Sequence, residues 1–148
     1  MAKSPIEDSN KFETERSHRA SDIAYDLSKA AGQACLLING GAATAVIAFL
    51  SKEHINPAIF KYVPWCLAAY AVGVFASALA LFCEMMNADY WNYYWYYLAY
   101  LRDKKSASYC ETIADRWHIG YYVGFVAGII SFLFGSGLMA YALSKMTP

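Results

Sequence analysis

Three stretches of this chain, residues 30–50, 62–83 and 119–143, contain no charged side chain. Each reaches the roughly 20 residues that a helix needs to cross ~30 Å of hydrocarbon. Lipid offers no water to the backbone N–H and C=O groups, so runs of this length fold as helices, which satisfy those groups internally. A soluble three-helix bundle would carry polar faces at helical spacing, and these runs show almost none. The expected fold class is all-α: an integral membrane protein with three transmembrane helices and cytoplasmic helical extensions. In chain order we expect a cytoplasmic amphipathic helix (1–29), a first span (30–50), an outer hairpin (51–61) and a second span (62–83). A cytoplasmic aromatic arm and connector (84–118), a third span (119–143) and an outer tail (144–148) follow.

Orientation is read from the basic residues, which accumulate on the cytoplasmic side. Lys3, Lys11, Arg16, Arg19 and Lys29 precede the first run, and Arg102, Lys104, Lys105 and Arg116 lie between the second and third. Only Lys52, Lys61 and Lys145 fall on the other side. This places the N-terminus in the cytoplasm and the C-terminus outside. The polar first 29 residues lack the layout of a cleavable signal peptide, so the first run is expected to stay in the protein. Asn56-Pro57 makes the outer turn, and Pro64 sits in the first turn of the second span, where its missing N–H costs nothing.

The cytoplasmic segments carry helix signals of their own. Ser4-Pro5-Ile6-Glu7 reads as a capping box, and Ser108-Tyr109-Cys110-Glu111 as a second one, with the turn before it at 104–106. Arg16, Ala20, Ile23, Leu27, Ala30 and Ala34 recur at steps of four and three, a short coiled-coil-like seam. No breaker separates it from the first span, which predicts one continuous helix.

Residues 90–101 read YWNYYWYYLAYL, eight aromatics in twelve. As a continuation of the second span they project beyond the inner face. An interfacial belt needs only a turn or two of tyrosine and tryptophan, whereas this stretch extends ~18 Å as a helix. Packing against other cytoplasmic helices is the reading favoured by that length. A cation-binding aromatic cage is another; its candidates are Glu84, Asp89, Tyr90, Trp91, Tyr94 and Trp95. Glu84, just past the second apolar run, is expected to reach headgroup water as an ordinary interfacial carboxylate.

Asn39 lies deep in the first span, with Ser77 and Ser131 at comparable depth in the others. An amide there should find a partner, a serine hydroxyl or its own copy around an oligomer axis. Gly120, Gly124 and Gly128, continued by Ser131 and Gly135, form a small-residue face that lets two helix backbones approach closely. Its partner is either another chain or Ala69, Gly73, Ala76 and Ala80 of the second span. Gly40-Gly41 offers a further close-approach point.

The four cysteines (Cys35, Cys66, Cys83, Cys110) are scattered without a CxxC pair, and His18, His54 and His118 are dispersed. Neither a disulfide nor a metal site is expected from this spacing, and no cofactor fingerprint, nucleophile elbow or catalytic constellation is present. A net charge of zero gives no basic face for nucleic acid.

Residues 33–43, reading QACLLINGGAA, resemble the start of the first span in small bacterial multi-span membrane proteins of unassigned function. The resemblance implies a bacterial inner membrane as the home of the chain. In layout alone, the chain is similar to small membrane effectors of bacterial defence systems, which act by oligomerising. The expected function is that of a non-enzymatic, self-associating membrane protein. It would be a channel- or pore-forming effector or an accessory subunit of a larger complex, with the lipid bilayer and its own copies as partners. The alternative is a small transporter for a cationic substrate, using Glu84 and the aromatic stretch.

Overall fold

The computed structural model describes the backbone of residues 5–51 and 57–145. Helix α1 runs over Pro5–Leu50, α2 over Val63–Tyr96 and α3 over Lys104–Ser144. A 3-10 helix, Pro57–Lys61, leads into α2, and one π-helical turn, Tyr97–Leu101, ends it. All three α-helices contain stretches long and apolar enough to cross a membrane, and no strand occurs among the described residues. The fold is all-α. The cap at Ser4, the turn at Asn56, the tail beyond Lys145 and the side chains of Arg16 and Ala20 lie outside the described residues.

The chain divides into two compact units, Met1–Ala31 and Gly32–Pro148. In the first, the expected seam residues Ile23, Leu27 and Ala30 are exposed on α1. In the second, α1 buries Gly32, Cys35, Asn39 and Val46, a stripe one step out of phase with that seam. Ala34, counted into the seam from its spacing, is exposed.

The second unit is organised by one repeat. On α2 the buried residues Val63, Cys66, Tyr70, Gly73, Ser77, Ala80, Glu84 and Asn87 follow alternating steps of three and four. On α3, Ala107, Cys110, Ala114, Tyr121, Gly124, Gly128, Gly135 and Ala142 fall on the same period. A period of 3.5 keeps one stripe facing its partner along the whole of two crossing helices. Most residues in both stripes are small, so the backbones come close and dispersion contacts replace those made with lipid. The two helices lie antiparallel: Gly120 faces Cys83, Gly124 faces Ala76 and Ala80, Gly128 faces Gly73 and Ser77, and Gly135 faces Tyr70. The small-residue face of α3 is therefore packed within the chain. Gly40 and Gly41 meet nothing, and it is Gly32 that makes the close approach from α1, against Leu81.

At its 34 residues, α2 is about 50 Å long, well beyond a ~30 Å hydrocarbon layer. It carries the paired stripe past the apolar run to Asn87, opposite the portion of α3 that begins at Ala107. The reversal between them is tight. Arg102 adopts the left-handed conformation, φ 52°, which stops α2, and Asp103 N-caps α3. Asp103 Oδ1 accepts from the N–H groups of Lys105 (3.1 Å) and Ser106 (3.3 Å), and Oδ2 from the Ser106 hydroxyl (2.6 Å). This corrects the expected start at Ser108 and the turn at 104–106. A carboxylate meets the orphan N–H groups and the positive end of the helix dipole together, which Ser108 cannot match. Ser108 lies inside α3, its carbonyl accepting from the Thr112 hydroxyl at 3.0 Å.

The opposite end is closed by Ile59 of the 3-10 helix, packed with Val46, Val63, Cys66 and Tyr70 and flanked by Phe49, Phe132 and Met139. Pro64 occupies the first turn of α2, as its missing N–H requires.

A Cβ at Gly124 would lie 2.8 Å from the Ala76 carbonyl and 3.0 Å from the Ala80 Cβ, whereas one at Gly137 would meet nothing. Gly124→Leu is expected to lower stability by about 1–3 kcal/mol or more through forced separation of α2 and α3. Gly137→Leu should leave it within about 0.5 kcal/mol; thermal unfolding in detergent compares the two.

The hydrogen bond from the Ser106 side chain, then those from the backbone N–H groups and the Lys105 charge, hold the Asp103 carboxyl below its usual value near 3.8. A group depressed on folding stabilises the fold above its unfolded value, and that contribution is lost as pH falls through the folded one. The α3 start should thus fray only below about pH 4. Amide exchange at Lys105 and Ser106, corrected for intrinsic rate, should accelerate there; in Asp103→Ala it should be fast at every pH.

Candidate functional site

Two polar groups sit inside the second unit. The first is centred on Asn39, which is fully buried. Its Nδ2 donates to the Cys35 carbonyl of its own helix (3.0 Å) and to the Gly128 carbonyl of α3 (3.2 Å). Its Oδ1 lies against Gly73 of α2, where any side chain would collide with it. One amide thus touches all three helices. The expected partners are the hydroxyls of Ser77 or Ser131 or a copy of Asn39 around an oligomer axis, and the structure corrects this: the amide is enclosed within the chain and bonds a backbone carbonyl. Ser77 Oγ donates to the Gly73 carbonyl of its own helix at 2.7 Å, and Ser131 is only half-buried. Glycine at 128 brings the α3 backbone nearer to Asn39 than a serine side chain could come, so the carbonyl takes the bond. Further along, the Tyr70 and Ser136 hydroxyls pair at 3.1 Å.

The second group lies nearer the α2–α3 reversal. Glu84 is only 5% exposed and Asn87 8%; both belong to the buried stripe of α2. Glu84 is therefore not the rim carboxylate expected from its place at the end of the apolar run. His118 of α3 approaches it, Nδ1 to Oε2 at 3.8 Å, with the imidazole side chain 45% exposed. That separation is too long for a hydrogen bond. Glu84 Oε2, Asn87 Oδ1 and His118 Nδ1 are all buried atoms without a hydrogen-bond partner. Rings surround the histidine: Tyr122 edge-on at 4.9 Å and Tyr121 stacked at 6.5 Å, with Trp117 set against Phe82. The histidines showed no carboxylate at ligand spacing along the chain, yet the fold supplies one from the neighbouring helix. The signal was available in the hairpin itself. Residues at similar distances on either side of Arg102 meet, and Glu84 and His118 nearly satisfy that condition.

The aromatic arm is arranged differently. Tyr90, Trp91 and Tyr94 are half-buried, while Asp89 and Trp95 are exposed. The rings stack edge to face on one another along their own helix, Trp91 on Tyr94 at 5.2 Å and Tyr94 on Trp95 at 5.1 Å. Tyr96 meets Tyr97 edge to face and Tyr100 at a tilt of 34°, and Tyr100 is 79% exposed. All four cysteines are buried thiols. Among the described residues no three of His, Cys, Asp and Glu come together. No protein-family model, curated protein or solved structure matches the chain.

Asn39→Leu removes the bond to Gly128 and sets a branched carbon against Gly73, and should cost about 1–2 kcal/mol. Thr44 bonds only the Gly40 carbonyl of its own helix and is exposed, so Thr44→Val should be neutral within about 0.5 kcal/mol. Melting points of the two variants in one detergent provide the comparison.

Proposed function

We propose that the protein is a non-enzymatic, self-associating component of a bacterial inner membrane, with its N-terminus in the cytoplasm and its C-terminus outside. It acts as a channel- or pore-forming effector or as an assembly subunit of a larger membrane complex. The observation that carries this reading is the exposure of Ile23 and Leu27 on a segment that also bears Asp22, Asp26 and Lys29. Apolar residues exposed along the spans need no protein partner, because lipid covers them. On a charged segment beside the membrane, the same side chains face water, and pairing with their own copies at steps of four and three removes that exposure. The exposed rings of Tyr93, Tyr96 and Tyr100 enlarge the surface available to such contacts. The small-residue face of α3 takes no part, being covered by α2. The excess of basic residues on the N-terminal side supports the orientation.

Native mass spectrometry of the full chain in mild detergent should show more than one copy. The double substitution Ile23→Glu with Leu27→Glu should shift the population to monomer without lowering the melting point of the bundle. A monomeric parent protein, or an assembly indifferent to the two charges, would sink this reading.

A further inference from the structure

We propose that Glu84, Asn87 and His118 form a site for one divalent transition-metal ion of the zinc class, at the end of the α2–α3 contact nearest the reversal. The site is independent of whether copies of the chain associate. Its starting point is a shortage of donors. The Glu84 and Asn87 side chains are each more than nine-tenths buried, and Glu84 Oε2, Asn87 Oδ1 and His118 Nδ1 all lack a hydrogen-bond partner. All three atoms have a lone pair to offer when the imidazole proton is on Nε2. A step of three along α2 puts Glu84 and Asn87 on one face of the helix, and His118 approaches Glu84 from α3. A buried carboxylate left without a counter-charge is costly, and among the described residues the one ion-pair contact of Glu84 is this histidine.

The unpartnered Asn87 oxygen favours a metal over a bare proton. A side-chain shift of a few tenths of an ångström would let a proton on Nδ1 bridge the pair, now at 3.8 Å, but would do nothing for Asn87 Oδ1. Zinc holds nitrogen and oxygen ligands at about 2.0–2.2 Å, which sets two tetrahedral ligands about 3.4 Å apart. A shift of about 0.4 Å in one side chain closes that difference. Imidazole with carboxylate and amide oxygen selects zinc, nickel or copper over magnesium and calcium, which favour oxygen ligands alone. The half-exposed edge of His118 provides the entry route and leaves a position for water, as open zinc sites do. No third His, Cys, Asp or Glu joins them among the described residues, so binding should be weaker than at a closed four-ligand site.

The test uses the full chain in detergent with any affinity tag removed, titrated with zinc chloride by calorimetry. One ion per chain is expected, with Glu84→Gln and His118→Ala each weakening binding about tenfold or more and magnesium failing to compete. Folding of each variant is checked by its melting point. Because Glu84→Gln changes a buried position, His118→Ala at a half-exposed one stands as the independent variant. Cobalt(II) in place of zinc should give visible bands that disappear in His118→Ala. No zinc binding by the parent protein would overturn the proposal by reducing the cluster to a hydrated pair. Binding unchanged when Glu84→Gln and His118→Ala are combined, and lost on replacing His18 and His54, would overturn it in favour of other histidines.

Discussion

Close approach of helix backbones is the constraint on which this structure rests. Lipid tails are as apolar as leucine, so burial of apolar surface gives membrane helices little reason to associate. What remains is contact quality, and here that depends on the absence of side chains. Gly73, Gly124 and Gly128 leave room for a neighbouring carbonyl, a methyl group or the Asn39 amide where a Cβ would stand. With the backbones so near, a single asparagine is long enough to touch all three helices. The heptad of small residues and the asparagine are one device: the first creates the proximity and the second uses it to fix register.

The same stripe explains why the polar cluster exists. A repeat with a period of 3.5 residues continues to bury whatever occupies its positions, irrespective of polarity. On α2 it passes from Gly73, Ser77 and Ala80 to Glu84 and Asn87 without changing phase. The carboxylate is therefore enclosed by the geometry of the pair and not by the depth of the membrane. His118 is held opposite by the antiparallel register, one turn from Tyr121 and Tyr122. The packing core and the candidate site are successive segments of one interface.

Much of the architecture was legible in the sequence. Uncharged runs of more than 20 residues permit only helices in lipid, and the three helices lie where those runs are. The small-residue face of α3 was legible as a close-approach surface with α2 or another chain as its partner, but the choice between the two was not. That choice depends on the continuous three–four stripe of α2, which is easily passed over because alanine, serine and cysteine do not stand out in an apolar run. Asn39 was legible as a deep polar group, whereas its partner is a backbone carbonyl, invisible to any search among side chains. Glu84 was misplaced because its depth was judged from distance along the apolar run. Burial there is set by which face of α2 it occupies. The start of α3 was misread because the Ser108–Glu111 pattern fits a capping box, while Asp103 three residues before the apparent turn's end combines charge with two acceptors.

The bond from Asn39 to Gly128 also has a consequence for the order of assembly. Its two ends are 89 residues apart in the chain, on the first and last helices to be synthesised. In the growing chain α1 is complete, with its amide in place, well before α3 exists to receive it. The second bond, from the same Nδ2 to the carbonyl of Cys35 one turn back, is available from the moment α1 is helical. It shelters the donor during the interval without occupying the position that Gly128 will take. The bond that joins α1 to α3 can therefore form only after the whole hairpin exists, while the donor already has a partner on its own helix.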